Sequence, residues 1–314
     1  MKSTLRMTLT AVWLAAAALS AQAAPAVLDT GLIKMGIGDN GGLAQGTGVG
    51  LIGPTGDAIT PGCLCEGWGA SAGGLSGYTY GAGATMFNIT SALTASNGVV
   101  GAGLAATSVV TMTNGLMVTH TYSYAAGGKL FKVAIEMKNT TAGTVTDVRY
   151  ARTLDWDVTP GFFVSNFTTV YGGAGGAATP GDKLLHTSTN PFAAPDPMVF
   201  RAQEADTNVV DTPGDKGGYF VFGFDDLAAG ASVLFDTYIG ADDTIGGLTA
   251  ALSSVGVEAY SYTTGNRTGA GGFEPAYGYG FVGLGLPPAL PEPGSLALTG
   301  LALLGLAAAR RRKA

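Results

Sequence analysis

Residues 109–124, VVTMTNGLMVTHTYSY, decide the fold. Two runs rich in Val, Thr and Tyr, 109–113 and 116–124, flank Asn114-Gly115, the pair that most readily takes the positive φ angles of a two-residue type I′ turn. A β-hairpin is the expectation. Further along, Phe131, Val133, Ile135 and Met137 fall on one face of an alternating run while Lys132, Glu136 and Lys138 fall on the other. That is the pattern of a half-buried antiparallel strand. A turn at 139–143 leads to a long predicted strand over 145–158, in which Val148, Tyr150, Leu154, Trp156 and Val158 share one parity. Arg152 interrupts this apolar face, and two explanations stand: a bulge near Arg152, or a buried acidic partner.

More strands are predicted at 198–202, 219–224, 232–239 and 257–262. Gly and Pro cluster between them at 172–181, 191–197 and 213–218, as loops between strands require. On the N-terminal side, residues 36–103 are rich in Gly, Ala, Ser and Thr and read as short strands with many turns. Apart from the two termini, no helix longer than about ten residues is predicted. The fold class is therefore all-β: an antiparallel, β-sandwich-like body of one extended or two abutting sandwiches, with an N-terminal signal helix and a C-terminal transmembrane helix.

Composition supports a packed body. Charged residues are only 12% of the chain, but the hydrophobic fraction of 46% is far above that of disordered chains. The chain's net charge is −6. Setting aside Lys2 and Arg6 at one end, and four basic residues and Glu292 at the other, the body between Ala24 and Leu290 keeps 10 basic and 21 acidic residues, a net −11. Such a surface repels phosphate backbones, which argues against nucleic-acid binding; it favours solubility and attracts divalent cations.

The ends carry address signals. Lys2 and Arg6 precede an apolar run from Leu9 to Leu19, and Ala21-Gln22-Ala23 offers the small residues that signal peptidase accepts, with cleavage before Ala24. An uncleaved anchor is the alternative, although the run is well short of the ~20 residues that span a bilayer. At the other end, Pro291-Glu292-Pro293 precedes an apolar run from Gly294 to Ala309 and the basic cluster Arg310, Arg311, Arg312 and Lys313. As a helix that run reaches roughly 24 Å, marginal for a ~30 Å hydrocarbon core. Positive residues remain cytoplasmic, so both ends place the body across the membrane. The resulting division is a signal peptide at 1–23, an extracytoplasmic body at 24–286 and a tail at 287–314.

This order of motif, short helix and basic end resembles the PEP-CTERM sorting signal of Gram-negative bacteria, which the membrane protease-transpeptidase exosortase processes. Pro291, Glu292 and Pro293 match its motif, 295–309 its helix and Arg310 to Lys313 its basic end. The resemblance covers about the last 25 residues and none of the body. The N-terminal signal implies export through the Sec translocon and signal peptidase, and the resemblance implies anchoring in the inner membrane and then tail removal or exchange. The body would then reside at the cell surface, the outer membrane or an extracellular matrix, often beside exopolysaccharide. A tail that stays as an unprocessed anchor is the alternative.

Candidate chemistry in the body is sparse. Asp155-Trp156-Asp157 places two carboxylates on one strand face, together with Asp147 and Arg149, and turns the indole to the other. The pair suits a solvated face partnered by Arg149, turn caps before Pro160, calcium binding or glycoside hydrolysis. Asp225-Asp226 and Asp242-Asp243 lie beside predicted turns, where Asp is common. Cys63 and Cys65 are the only cysteines; a local disulfide, free thiols, or a metal or redox site are the options. His120 and His186 are the only histidines, and His120 reads as a packed strand residue. No GxSxG elbow or HExxH helix appears. Residues 278–283 spell GxGxxG without a following helix, which marks a glycine-rich strand rather than a nucleotide loop. Trp68, Trp156 and the tyrosines are either core or a sugar-binding platform.

The expected function is that of a non-enzymatic, exported cell-surface or biofilm-matrix protein without an obligate cofactor. The alternatives are a secreted polysaccharide-active enzyme using Asp155 and Asp157, or a carbohydrate-binding adhesin.

Overall fold

The computed structural model describes residues 25–96, 105–124, 127–172, 183–201, 209–265, 273–287 and 289. The signal peptide with Ala21, Ala23 and Ala24, and the tail with Pro291, Glu292, Pro293 and Arg310 to Lys313, lie outside the described residues. Among the described residues, no helix is long and apolar enough to cross a membrane.

In chain order the first strands are β1 (Ala26–Asp29), β2 (Lys34–Ile37), β3 (Leu51–Gly53), β4 (Gly56–Asp57), β5 (Gly67–Ala72), β6 (Leu75–Tyr80) and β7 (Thr85–Phe87). Then come β8 (Ile89–Ser96), β9 (Ala105–Met112), β10 (Leu116–Tyr124), β11 (Leu130–Asn139), β12 (Val148–Asp155), the one-turn helix α1 (Phe162–Ser165) and β13 (Phe167–Tyr171). The series ends with β14 (Leu184–Ser188), β15 (Val209–Pro213), β16 (Gly217–Phe224), β17 (Ser232–Asp242), α2 (Ile245–Ser254), β18 (Ala259–Thr264) and β19 (Ala276–Val282). All strand pairs are antiparallel, so the body is all-β, as expected.

Among the described residues the strands form three sheets: one of four strands, β1-β2-β3-β4; one of nine, β15-β13-β18-β19-β17-β11-β10-β9-β8; and one of six, β14-β16-β12-β5-β6-β7. Alternation of buried and half-buried positions along β9, and along β10 and β11 except at the end of β10 and the start of β11, turns one face of the nine-stranded sheet inward. The six-stranded sheet meets that face through ring contacts: Trp68 on His120, Tyr150 on Phe235, and Phe220 and Phe222 on Phe281. Leu28, Met35, Ile37 and Leu51 of the small sheet join the same core. Each large apolar side chain buried in this way contributes roughly 1.5–3 kcal/mol.

Residues 259–264 are buried on both faces because α2 lies over the outside of the nine-stranded sheet, packing Leu248 and Leu252 against Tyr260 and Tyr262. The hydroxyl of Thr244 caps this helix by accepting from the Gly247 amide at 2.9 Å. The glycines of residues 278–283 explain themselves here. Gly278 and Gly280 fall on β19, where a Cβ on Gly280 would sit 2.7 Å from Val257 and one on Gly278 would sit 2.9 Å from the Ser261 carbonyl, while Gly283 follows the strand with φ +86°. Tyr279 and Phe281 between them fill the core.

Four expectations need correction. The 109–124 hairpin forms, but Met117 pairs with Thr111, which leaves a three-residue loop. In it only Gly115 has a positive φ, +84°, so the turn is not type I′. The long strand over 145–158 is shorter, because Asp147 takes φ +51° before Val148 and pairing stops at Asp155. Residues 198–201 are irregular rather than a strand, since they follow Pro195 and Pro197 across the outside of the six-stranded sheet. The 213–218 loop is also shorter, because β16 begins at Gly217.

Candidate functional site

β12 crosses the molecule and delivers its two kinds of side chain to different places. Val148, Tyr150, Arg152 and Leu154 point into the core, and all are buried. Pairing of β12 with β16 and β5 runs without a register shift through Arg152, so there is no bulge there. The acidic partner is Glu66: its Oε1 lies 2.6 Å from Arg152 Nη2, with both side chains fully buried. Glu66 Oε2 also accepts from the Leu43 amide at 2.5 Å. Burial nevertheless pushes the Glu66 carboxyl up to about 7, against the pull of Arg152. Nothing in the sequence marked Glu66; the broken apolar face at Arg152 called for such a partner without naming it.

Trp156 keeps the inward parity. Its indole is buried, donates to Ser261 Oγ at 3.2 Å and lies 5.8 Å from the Tyr279 ring. Asp155 and Asp157 emerge on the opposite side. The last β12–β16 pair is Asp155 with Gly217, and the same register carried two residues further sets Asp157 beside Asp215. On the other flank the 58–65 segment runs alongside, because the Asp155 amide donates to Cys65 O at 3.1 Å and the Asp157 amide to Ala58 O at 2.9 Å.

Three carboxylates therefore converge. One oxygen from each of Asp155, Asp157 and Asp215 lies within 4.8 Å of the other two. Asp155 is 2% exposed and Asp157 1%, while Asp215 sits at the surface. The Oδ1 of Asp155 and both oxygens of Asp157 have no hydrogen-bond partner. Burial, then repulsion from Asp157 and Asp215, raises Asp155 to about 8. Burial and Asp215 raise Asp157 to about 7, and burial raises Asp215 as well. Arg149, one of the partners considered for this pair, instead binds Asp147, with Nε 2.7 Å from Oδ1. A solvated face is excluded too, because both aspartates are buried.

Cys63 and Cys65 are bonded to one another with Cα atoms 5.1 Å apart. Cys63 Sγ lies 3.4 Å from Asp155 Oδ2, and as a disulfide sulfur it has no proton to donate. The cluster thus offers oxygen ligands alone, the donor set of calcium and magnesium rather than of zinc or copper.

The remaining candidates are structural. His120 is buried between Trp68 and Tyr150, its Nε2 3.1 Å from the Tyr150 hydroxyl, and burial holds it neutral. His186 stacks on Phe200 and accepts from the Arg201 amide at 3.0 Å. Trp68 and Trp156 are both fully buried, so neither belongs to an exposed sugar platform. Asp225 pairs with Lys183 at 3.1 Å, and Asp242 receives the Thr244 amide at 3.0 Å and pairs with Lys129.

Arg201, which sequence reasoning passed over, organises the outer face. Its guanidinium lies 3.6 Å from the Tyr219 ring and donates to Thr153 Oγ1 at 2.9 Å and to the carbonyls of Asn190, Ala193 and Ala194. Burial lowers its pKa to about 10.

Comparison of the chain with curated proteins gives no match. Residues 289–313 match the PEP-CTERM protein-sorting motif. The body described above is thus the cargo of a PEP-CTERM sorting tail, and the chain is an exported protein sorted by exosortase.

Proposed function

We propose that this chain is a non-enzymatic structural protein of the cell surface or the extracellular biofilm matrix. Sec and signal peptidase export it, its tail helix anchors it in the inner membrane, and exosortase then removes or exchanges the tail and frees the body among exopolysaccharide. The observation that carries this reading is the tail itself, in which Pro291-Glu292-Pro293, an apolar run and four basic residues match the sorting motif. The body supports it. His120, Asp155 and Asp157, the residues best suited to acid-base chemistry, are each 2% exposed or less.

Mass spectrometry of the mature C-terminus, in cells with and without exosortase, tests the reading. With the protease, the recovered protein should lack 294–314 and appear at the surface or in the medium. Without it, the full tail should be retained in the membrane fraction. An intact tail in both strains sinks the sorting step. Polysaccharide turnover by the purified protein sinks the non-enzymatic role.

A further inference from the structure

The geometry points to a calcium site, with Asp155, Asp157 and Asp215 holding one Ca2+ between the 58–65 segment and the turn that joins β15 to β16. Convergence of acidic residues alone would not require an ion. What points to one is the setting of the two inner carboxylates: 2% and 1% exposed, three of their four oxygens without a hydrogen-bond partner, and, among the described residues, no ion pair to any of the three aspartates. An isolated buried carboxylate is costly, and two that face a third are costlier still. A divalent cation removes the desolvation and repulsion at one stroke.

Calcium fits better than its rivals. The donors are hard oxygens; the only nearby sulfurs are tied up in the Cys63–Cys65 disulfide; and neither histidine belongs to the cluster. Asp215 at the surface leaves the outer side open to water ligands, which suits the six to eight oxygens that calcium takes. Gly62 lets the 58–65 segment pass close to the cluster: a Cβ there would sit 2.6 Å from the Phe163 ring and 3.0 Å from Asp157 Oδ2. Closing the site also ties together two stretches far apart in sequence, around residues 156 and 215.

Full-length protein stripped with EDTA is titrated with CaCl2, and in parallel with TbCl3, using Trp156, adjacent in sequence to both inner ligands, as the antenna for Tb3+ luminescence. One ion per chain should bind. The thermal midpoint should rise with CaCl2, and much less with equal MgCl2. Asp157→Asn should weaken calcium binding by on the order of 100-fold. The double variant Asp155→Asn/Asp157→Asn serves as folding control: it removes the buried charge, so in EDTA it should unfold no earlier than wild type while ignoring calcium. The assignment is overturned if wild type shows no calcium-dependent shift, if magnesium acts equally, or if Asp157→Asn binds as wild type does.

Discussion

Arg152 and Glu66 meet at 2.6 Å in the middle of the core, 86 residues apart in sequence, with neither side chain reaching solvent. Around them stand Tyr122 and Tyr150, whose hydroxyls burial holds protonated. A pair in this position is weak evidence for added stability, since the desolvation of both groups offsets much of their attraction. Removing one partner is another matter.

Arg152→Met should therefore destabilise the protein by about 3–5 kcal/mol, because it leaves Glu66 buried without its cation. Adding Glu66→Gln should recover most of that loss: the amide carries no charge, and its oxygen still accepts from Leu43. Chemical denaturation of the three proteins checks this, and a double variant no better than the single one contradicts it.

Stability should fall as pH rises. Glu66, Asp155 and Asp157 stand at about 7, 8 and 7 in the folded protein, against about 4 in the unfolded chain. Between those values the folded state holds protons that the unfolded chain has released. The contribution of the three groups is thus complete below about pH 4 and is lost progressively toward pH 8. Asp29, lowered by Lys34, has the opposite sign, but its ion pair is exposed and screened. In EDTA, the urea midpoint at pH 5 should exceed that at pH 8; the reverse order would falsify the assignment.

Arg201→Ala should release the 190–201 segment from the six-stranded sheet, at a cost of about 2–4 kcal/mol for the lost charged hydrogen bonds and ring stacking. Lysine should rescue little, having no planar fork to reach several carbonyls at once. Hydrogen exchange across 190–201 reads the effect directly, and unchanged protection in Arg201→Ala would count against it.

Gly280→Ala should cost roughly 1–3 kcal/mol by overpacking, since the new Cβ meets Val257 at 2.7 Å and the Ala259 carbonyl at 3.2 Å. Thermal unfolding checks this, and a neutral outcome would show that the segment before β18 shifts freely.

What the sequence determined by itself was local. Alternation in residues 131–137, the Asn114-Gly115 turn signal and the sorting tail each depend on neighbours a few positions away, and periodicity or motif order displays them directly. What only the tertiary structure decided was partnership over distance. Glu66 lies in a glycine-rich stretch with no periodicity to give it away, and Asp215 reaches Asp155 and Asp157 only because β16 pairs with β12 in one register. The alternation that set Asp155 and Asp157 on one face could not tell whether that face met water, because exposure depends on the 58–65 segment and the β15–β16 turn that close over it. Likewise the sequence showed that Arg152 needed a partner, and folding alone chose which carboxylate would be buried beside it.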